Sequence, residues 1–155
     1  MKIAVIQVRG AVRLNSKHKD TLKMLKLLRK NSCVVLDNNP VSLGMLFKVK
    51  DFITWGEIDQ KTFKELLEKR ARLSGNKSME ESYLKDKIKM GYDDFTKAFF
   101  DGKVKLKDVP GMKTYFRLKP PVKGFEKNGI KKPFSLGGAL GYRKDDINDL
   151  VRRMI

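Results

Sequence analysis

Residues 33–58, CVVLDNNPVSLGMLFKVKDFITWGEI, read as a strand, a helix and a strand in immediate succession. Cys33 to Leu36 is a short apolar run containing two valines, the pattern of a buried strand. Asp37-Asn38-Asn39-Pro40 then offers polar caps followed by a proline, whose fixed φ and missing N–H suit the first helical position. The helix opened there runs to about Lys50. From Phe52 to Ile58 side chains alternate, Ile53 and Trp55 on one side and Phe52, Thr54 and Gly56 on the other, which predicts another strand. Upstream, Lys2 to Val8 is a further buried strand ended by Arg9-Gly10, and residues 11–17 form a basic loop. A helix is predicted from His18 to Lys30, with Leu22, Leu25 and Leu28 beside Met24 on one face and Lys19, Lys23, Lys26 and Lys30 in a second stripe, stopped at Asn31. The first 58 residues are therefore βαβαβ with short links.

The remainder is mainly helical. Asp59 caps a helix from Gln60 to about Leu73, broken at Ser74-Gly75-Asn76. Ser78 with Glu81 makes a capping-box pattern for a helix to about Met90, ended by Gly91. Asp93 and Asp94 open a short helix carrying Phe95, Phe99 and Phe100, stopped at Asp101-Gly102. Pro110-Gly111 is a turn and Thr114 to Leu118 a returning strand. Pro120, Pro121, Gly124, Gly129 and Pro133 punctuate a long aperiodic loop. After Gly137-Gly138 and Gly141, Asp145-Asp146 start a last helix with Ile147, Leu150, Val151 and Met154 at helical spacing. No internal repeat and no interdomain linker is evident. The division expected is a core over 1–58 and, over 59–155, an extension packed on it, which includes a basic loop at 117–143.

Charge narrows the function. The chain has 155 residues with 35 Lys+Arg against 18 Asp+Glu, a net charge of +17. A domain this basic repels itself and calls for a polyanion, most commonly nucleic acid; a membrane surface is the competing choice. The excess is uneven: net +9 over residues 1–50, +1 over 51–110 and +7 over 111–155. If the fold brings the two ends together, they make one basic face. No apolar run reaches the roughly 18–20 residues that span a bilayer, and the opening MKIAVIQVRG reads as a strand rather than a signal peptide, so a cytoplasmic protein is expected.

Catalytic chemistry is missing. One cysteine, Cys33, and one histidine, His18, supply neither a disulfide nor a metal-ligand pattern. Phosphate-binding, nucleophile-elbow and zinc-protease motifs are absent, and Gly137-Gly138-Ala139-Leu140-Gly141 lacks the preceding strand of a dinucleotide loop. The carboxylate pairs Asp93/Asp94 and Asp145/Asp146 sit at helix starts, where the dipole favours them. No catalytic residue, metal, cofactor or small-molecule substrate is expected. RNA-binding candidates form three groups: Arg9, Gly10, Arg13, Lys17, His18 and Lys19 in the first loop; Lys48 and Lys50 ending the second helix; and Lys119, Lys123, Lys131, Lys132 and Arg143 towards the C-terminus. Lysines meet phosphates as mobile point charges; solvated charge is the plain alternative. Phe125, Phe134 and Trp55 are read as core before stacking platforms. Gly44 inside a helix costs about 1 kcal/mol relative to alanine, offset either by close packing on the sheet or by close approach of a partner.

Two of these segments carry a likeness. NPVSLGMLFKVKDFITWGEI, residues 39–58, and GGALGYRKDDINDLVRRM, residues 137–154, together with the opening strand and QVRG, residues 7–10, and Thr21-Leu22, resemble the universal large-subunit ribosomal protein family numbered thirty in bacteria and archaea and seven in eukaryotes. The likeness spans the chain. Bacterial members resemble only about the first 60 residues, and eukaryotic ones carry a basic arm before the first strand, so an archaeal-type member is expected. The resemblance implies an α+β fold: a ferredoxin-like βαβαβ core with a small antiparallel sheet and two helices on one face, joined by the helical extension, returning strand, basic loop and C-terminal helix. It implies binding to large-subunit ribosomal RNA near the 5S RNA beside neighbouring ribosomal proteins, through the first loop, the Val41 to Lys50 helix edge and the Gly137 to Arg143 turn. It implies no catalysis. The alternative from the residues is a free RNA-binding regulator or chaperone on the same core. The basic loop is expected to be unordered away from its RNA.

Overall fold

A computed structural model describes residues 1–12 and 14–155. Five strands form one sheet, in chain order β1 (Lys2–Gln7), β2 (Ser32–Asp37), β3 (Ile53–Glu57), β4 (Phe116–Arg117) and β5 (Gly141–Tyr142). Their spatial order is β4-β2-β1-β3-β5. β1 lies at the centre, antiparallel to both β2 and β3, with Val5 opposite Val34 on one side and Trp55 on the other. The short β4 adds antiparallel to β2, and β5 adds parallel to β3. The α+β architecture with a βαβαβ core is the one read from residues 1–58.

Both faces of the sheet are covered, which explains why β1 is a continuous apolar run rather than an alternating one. Ile3, Val5, Val34, Ile53 and Trp55 face α1 (Ser16–Met24) and α2 (Pro40–Lys48), meeting Leu22, Leu25, Leu27, Leu46 and Val49. Ala4, Ile6, Cys33 and Val35 face the second half of the chain. There, α3 (Gln60–Arg70), α4 (Glu81–Ile88), α5 (Tyr92–Phe100) and α6 (Ile147–Met154) contribute Phe63, Leu84, Phe95, Phe99, Leu150 and Met154 to one core. Phe63 stacks on Phe99 at 4.5 Å between centroids, and Phe100 meets Phe63 edge-on.

Several boundaries differ from the expected ones, each for a local reason. α1 stops at Met24, not Lys30. Lys26 turns into the left-handed region at φ 59, Leu27 N–H donates to Leu22 O and Lys26 N–H to Lys23 O. This Schellman closure turns Leu27 into the core, so that Leu28 and Met24 are the exposed pair. Ser78 does not open α4: its backbone bridges to Arg72, and the helix starts at Glu81. Gly91 caps α5 instead of ending α4, which closes at Lys89. β4 is shorter than the expected Thr114 to Leu118, since only Phe116 and Arg117 pair with β2, opposite Cys33 and Ser32. β5 was not expected at all. It lets α6 follow closely: a side chain at Gly56 would place its Cβ 2.1 Å from Lys144 O and 2.9 Å from Ile147 Cβ. Ile147, Leu150, Val151 and Met154 line the buried face of α6 as their spacing predicts. Among the described residues, no helix is long and apolar enough to cross a membrane.

Candidate nucleic-acid interface

The last residues of β1 organise the site, because both basic regions of the chain attach to them. Val8 and Arg9 each donate their N–H to Phe52 O, so the first loop leaves the sheet beside the turn joining α2 to β3. The Arg9 guanidinium donates to Asp51 O at 3.1 Å and lies over the Phe52 ring, 5.2 Å from its centroid. His18, on the first turn of α1, tilts against the same ring at 6.3 Å. Phe52 thereby gathers Arg9, His18 and the Lys50 turn, a role that spacing alone did not reveal. Val8 is buried with Ala139 and Leu140, and Phe125 and Ile130 pack against them. Asn31 donates its N–H to Gln7 O and accepts from Leu118 N–H, fixing the start of the C-terminal loop at the same end of the sheet. The N-terminal and C-terminal basic regions thus converge on one pole.

Most of the expected side chains are presented there. Gly10, Lys17, Lys19, Lys48, Lys50, Lys119, Lys123, Lys131 and Lys132 are exposed, and Arg9 and His18 are half-buried. Arg13 lies outside the described residues. Among the described residues, none of those eight lysines comes within 4.0 Å of a carboxylate. In the balanced middle of the chain three lysines are paired, Lys64 with Asp93 at 2.6 Å, Lys85 with Glu81 at 3.1 Å and Lys103 with Asp101 at 3.2 Å, so what sets the terminal lysines apart is the net charge of their regions, not pairing alone. The start of α1 offers little backbone to an anion, because Lys17 N–H is taken by the Asn15 side chain, and His18 and Lys19 N–H by Asn15 O. Side chains must carry any anion binding in this loop.

Arg143 has to be removed from the candidate contacts. Only 2% of it is exposed. Its Nε donates to Thr54 Oγ1 at 2.8 Å, Nη1 to Glu126 Oε1 at 2.5 Å, and Nη2 both to Glu126 Oε2 at 2.6 Å and to Ala139 O at 3.0 Å. The guanidinium also lies 4.6 Å from the centroid of Phe134. With four of its five N–H donors engaged and the group enclosed, it cannot reach a phosphate. Burial pushes the Glu126 carboxyl upward, but the Arg143 hydrogen bonds, with the Arg143 and Arg153 charges, outweigh it and hold the group below the ordinary glutamate range. Phe134 and Phe125 are both used inside the protein, as core-first reading expected.

The basic loop itself is tied down at many points. Lys119 N–H donates to Met154 O and Val122 N–H to Arg153 O, on α6. Ala139 N–H donates to Gly129 O and Leu140 N–H to Lys132 O, folding the loop back on itself. At Gly138 a Cβ would fall 2.1 Å from Lys132 O, so only glycine permits that closure. These backbone bonds give the loop a defined course in place of the periodicity it lacks.

Outside this pole, the outer face of α2 is open. Val41 is 75% exposed and Phe47 61%, and nothing approaches within 4 Å of a Cβ built on Gly44. Packing on the sheet therefore does not offset the helical cost of Gly44. Trp55 is buried beneath Phe47 and Tyr142. The Tyr142 hydroxyl donates to Glu57 at 2.5 Å, which with partial desolvation pushes its pKa up to about 12. Cys33 is fully enclosed, its thiol pushed up to about 12 by burial, so it is no nucleophile. Among the described residues, no group of three or more His, Cys, Asp or Glu could hold a metal ion.

Matches to known proteins cover both halves of the chain. A family model described as Ribosomal protein L30p/L7e matches residues 3–53. The chain is 48% identical to the large ribosomal subunit protein uL30 of Methanococcus vannielii over 155 residues, the full length of both. It is 46% identical to that of Methanopyrus kandleri over 149 residues, 96% of this chain and all of the relative. Against the protein of Nanoarchaeum equitans it is 48% identical over 152 residues, 98% of this chain and 97% of the relative.

Proposed function

The chain belongs to the ribosomal protein L30p/L7e family in its archaeal form, and from that premise we propose that it is a structural constituent of the large ribosomal subunit, not an enzyme. Its place is in the cytoplasm, within that particle. It holds ribosomal RNA through the basic pole at the end of β1, in the neighbourhood of the 5S RNA and against neighbouring ribosomal proteins. The observation that carries this reading is the set of exposed lysines without carboxylate partners, brought to one end of the sheet from both ends of the sequence. Binding is guided by shape and phosphate charge: lysines on a fixed framework neutralise phosphates, and among the described residues no array of exposed aromatics is present on the sheet to read bases. Arg9, Gly10, Arg13, Lys17, His18, Lys19, Lys48, Lys50, Lys119, Lys123, Lys131 and Lys132 form the contact set. Residues 1–58 are its core, and residues 59–155 extend it and deliver the C-terminal loop. The open helix face at Val41, Gly44 and Phe47 takes a close-approaching surface of the particle.

Sucrose-gradient fractionation of native lysate tests this. The protein is expected to travel with large subunits and to stay with them through moderate salt. A pool at the top of the gradient would instead favour a free RNA-binding regulator.

A further inference from the structure

We propose that the enclosed Arg143–Glu126 pair is a positioning device: it locks the 117–133 loop so that its lysines form one fixed phosphate-binding surface. The proposal rests on the RNA-binding reading above and adds residues that do not touch RNA themselves.

Glu126 is the lone acid between Arg117 and Lys132, a stretch with six cations. On a loop that served only as a mobile polycation, an acid would simply weaken attraction to phosphate. Here the carboxylate is turned inward and held by two parallel hydrogen bonds from Arg143, with Arg153 adding a third at 3.3 Å. Arg143 is fixed in turn from three directions: Thr54 on β3, Ala139 O from the loop's return, and the Phe134 ring. Arg153 also donates to Gly124 O at 3.1 Å. One guanidinium thus joins β3, the middle of the loop and the loop's end. A bidentate Arg–carboxylate pair fixes orientation as well as distance. An enclosed ion pair is a weak source of net stability, so conformational specificity is the role its geometry supports. With the acid turned in, the exposed side chains Lys119, Lys123, Lys127, Lys131 and Lys132 face outward from a fixed backbone.

Charge and position make opposite predictions for Glu126→Gln. The variant is more positive than the wild type by one unit. A polycation model has it bind RNA at least as tightly and with a steeper salt dependence. Positioning has it bind more weakly, by about tenfold near 0.1 M salt, with the log–log salt slope shallower by about 1.5–2, the loss of two phosphate contacts. The probe is deproteinised large-subunit ribosomal RNA with the full chain. Asp86→Asn, on the exposed side of α4, makes the same charge change away from the loop and is expected to bind at least as tightly as wild type. Hydrogen exchange is expected to quicken at loop amides 122–130 in Glu126→Gln while β1 amides stay protected. Thr54→Val removes an Arg143 acceptor and no charge; it is expected to weaken binding by a smaller factor and carries the test by itself should Glu126→Gln not fold. Undiminished binding by these variants, with wild type binding normally, overturns the positioning role alone. Absence of binding by wild type overturns the RNA-binding reading beneath it as well.

Discussion

Replacing Phe63 by alanine is expected to lower the free energy of unfolding by about 3–5 kcal/mol, the range for truncating an enclosed phenylalanine. Phe63 is 0% exposed and lies between the sheet and α5, stacked on Phe99 with an interplanar angle of 10° and met edge-on by Phe100. Truncation removes transferred apolar surface, the stacking geometry and the filling of a space that α3 and α5 close only partly. The same cluster contains Ala4, Ile6, Cys33 and Val35 from the central strands. The loss should therefore appear as one shifted denaturant transition followed by both far-ultraviolet circular dichroism and Trp55 fluorescence, since Trp55 faces the opposite layer. A separate early transition seen only by circular dichroism would mean that the second half of the chain folds as an independent unit.

Raising salt from 50 to 200 mM is expected to weaken binding to deproteinised large-subunit RNA by about a thousandfold or more, the effect of six or more neutralised phosphates. The exposed lysines without carboxylate partners supply more than that number of candidate contacts. Each releases counterions when it meets a phosphate, and the release is what added salt opposes. Changing Lys131 and Lys132 together to glutamine should weaken binding evenly across RNA sequences and reduce the log–log slope by about 1.5–2, because point charges on phosphates carry no base information. Filter binding over a salt series reads both quantities. A response that barely changes with salt would remove the phosphate basis of the interface.

What the sequence disclosed depended on whether the deciding partner lay nearby along the chain. Pro40 behind Asn39 marked the start of α2, and the Ile147, Leu150, Val151, Met154 spacing marked the buried face of α6, because both signals are local. The end of α1 was misplaced by the difference between Leu27 and Leu28: either fits a helical face, and only the left-handed turn at Lys26 decides which is buried. β5 has two residues and no pattern of its own; pairing with Thr54 and Trp55 makes it a strand. The site divides in the same way. Exposed lysines in basic stretches were legible by composition. Arg143 was not, since a cation in a basic tail looks like an RNA contact until Glu126, Thr54 and Phe134, all remote in sequence, are found around it. Phe52 escaped notice because its value lies in what rests on it, Arg9 and His18.

The most direct test is quantitative lysine acetylation of the full chain, free and bound to deproteinised large-subunit RNA, read residue by residue by mass spectrometry. Lys48, Lys50, Lys119, Lys123, Lys131 and Lys132 are expected to lose reactivity on binding, while Lys77, Lys87, Lys97 and Lys103 keep theirs. Protection of the second group with the first still reactive would contradict a basic pole assembled from both ends of the chain.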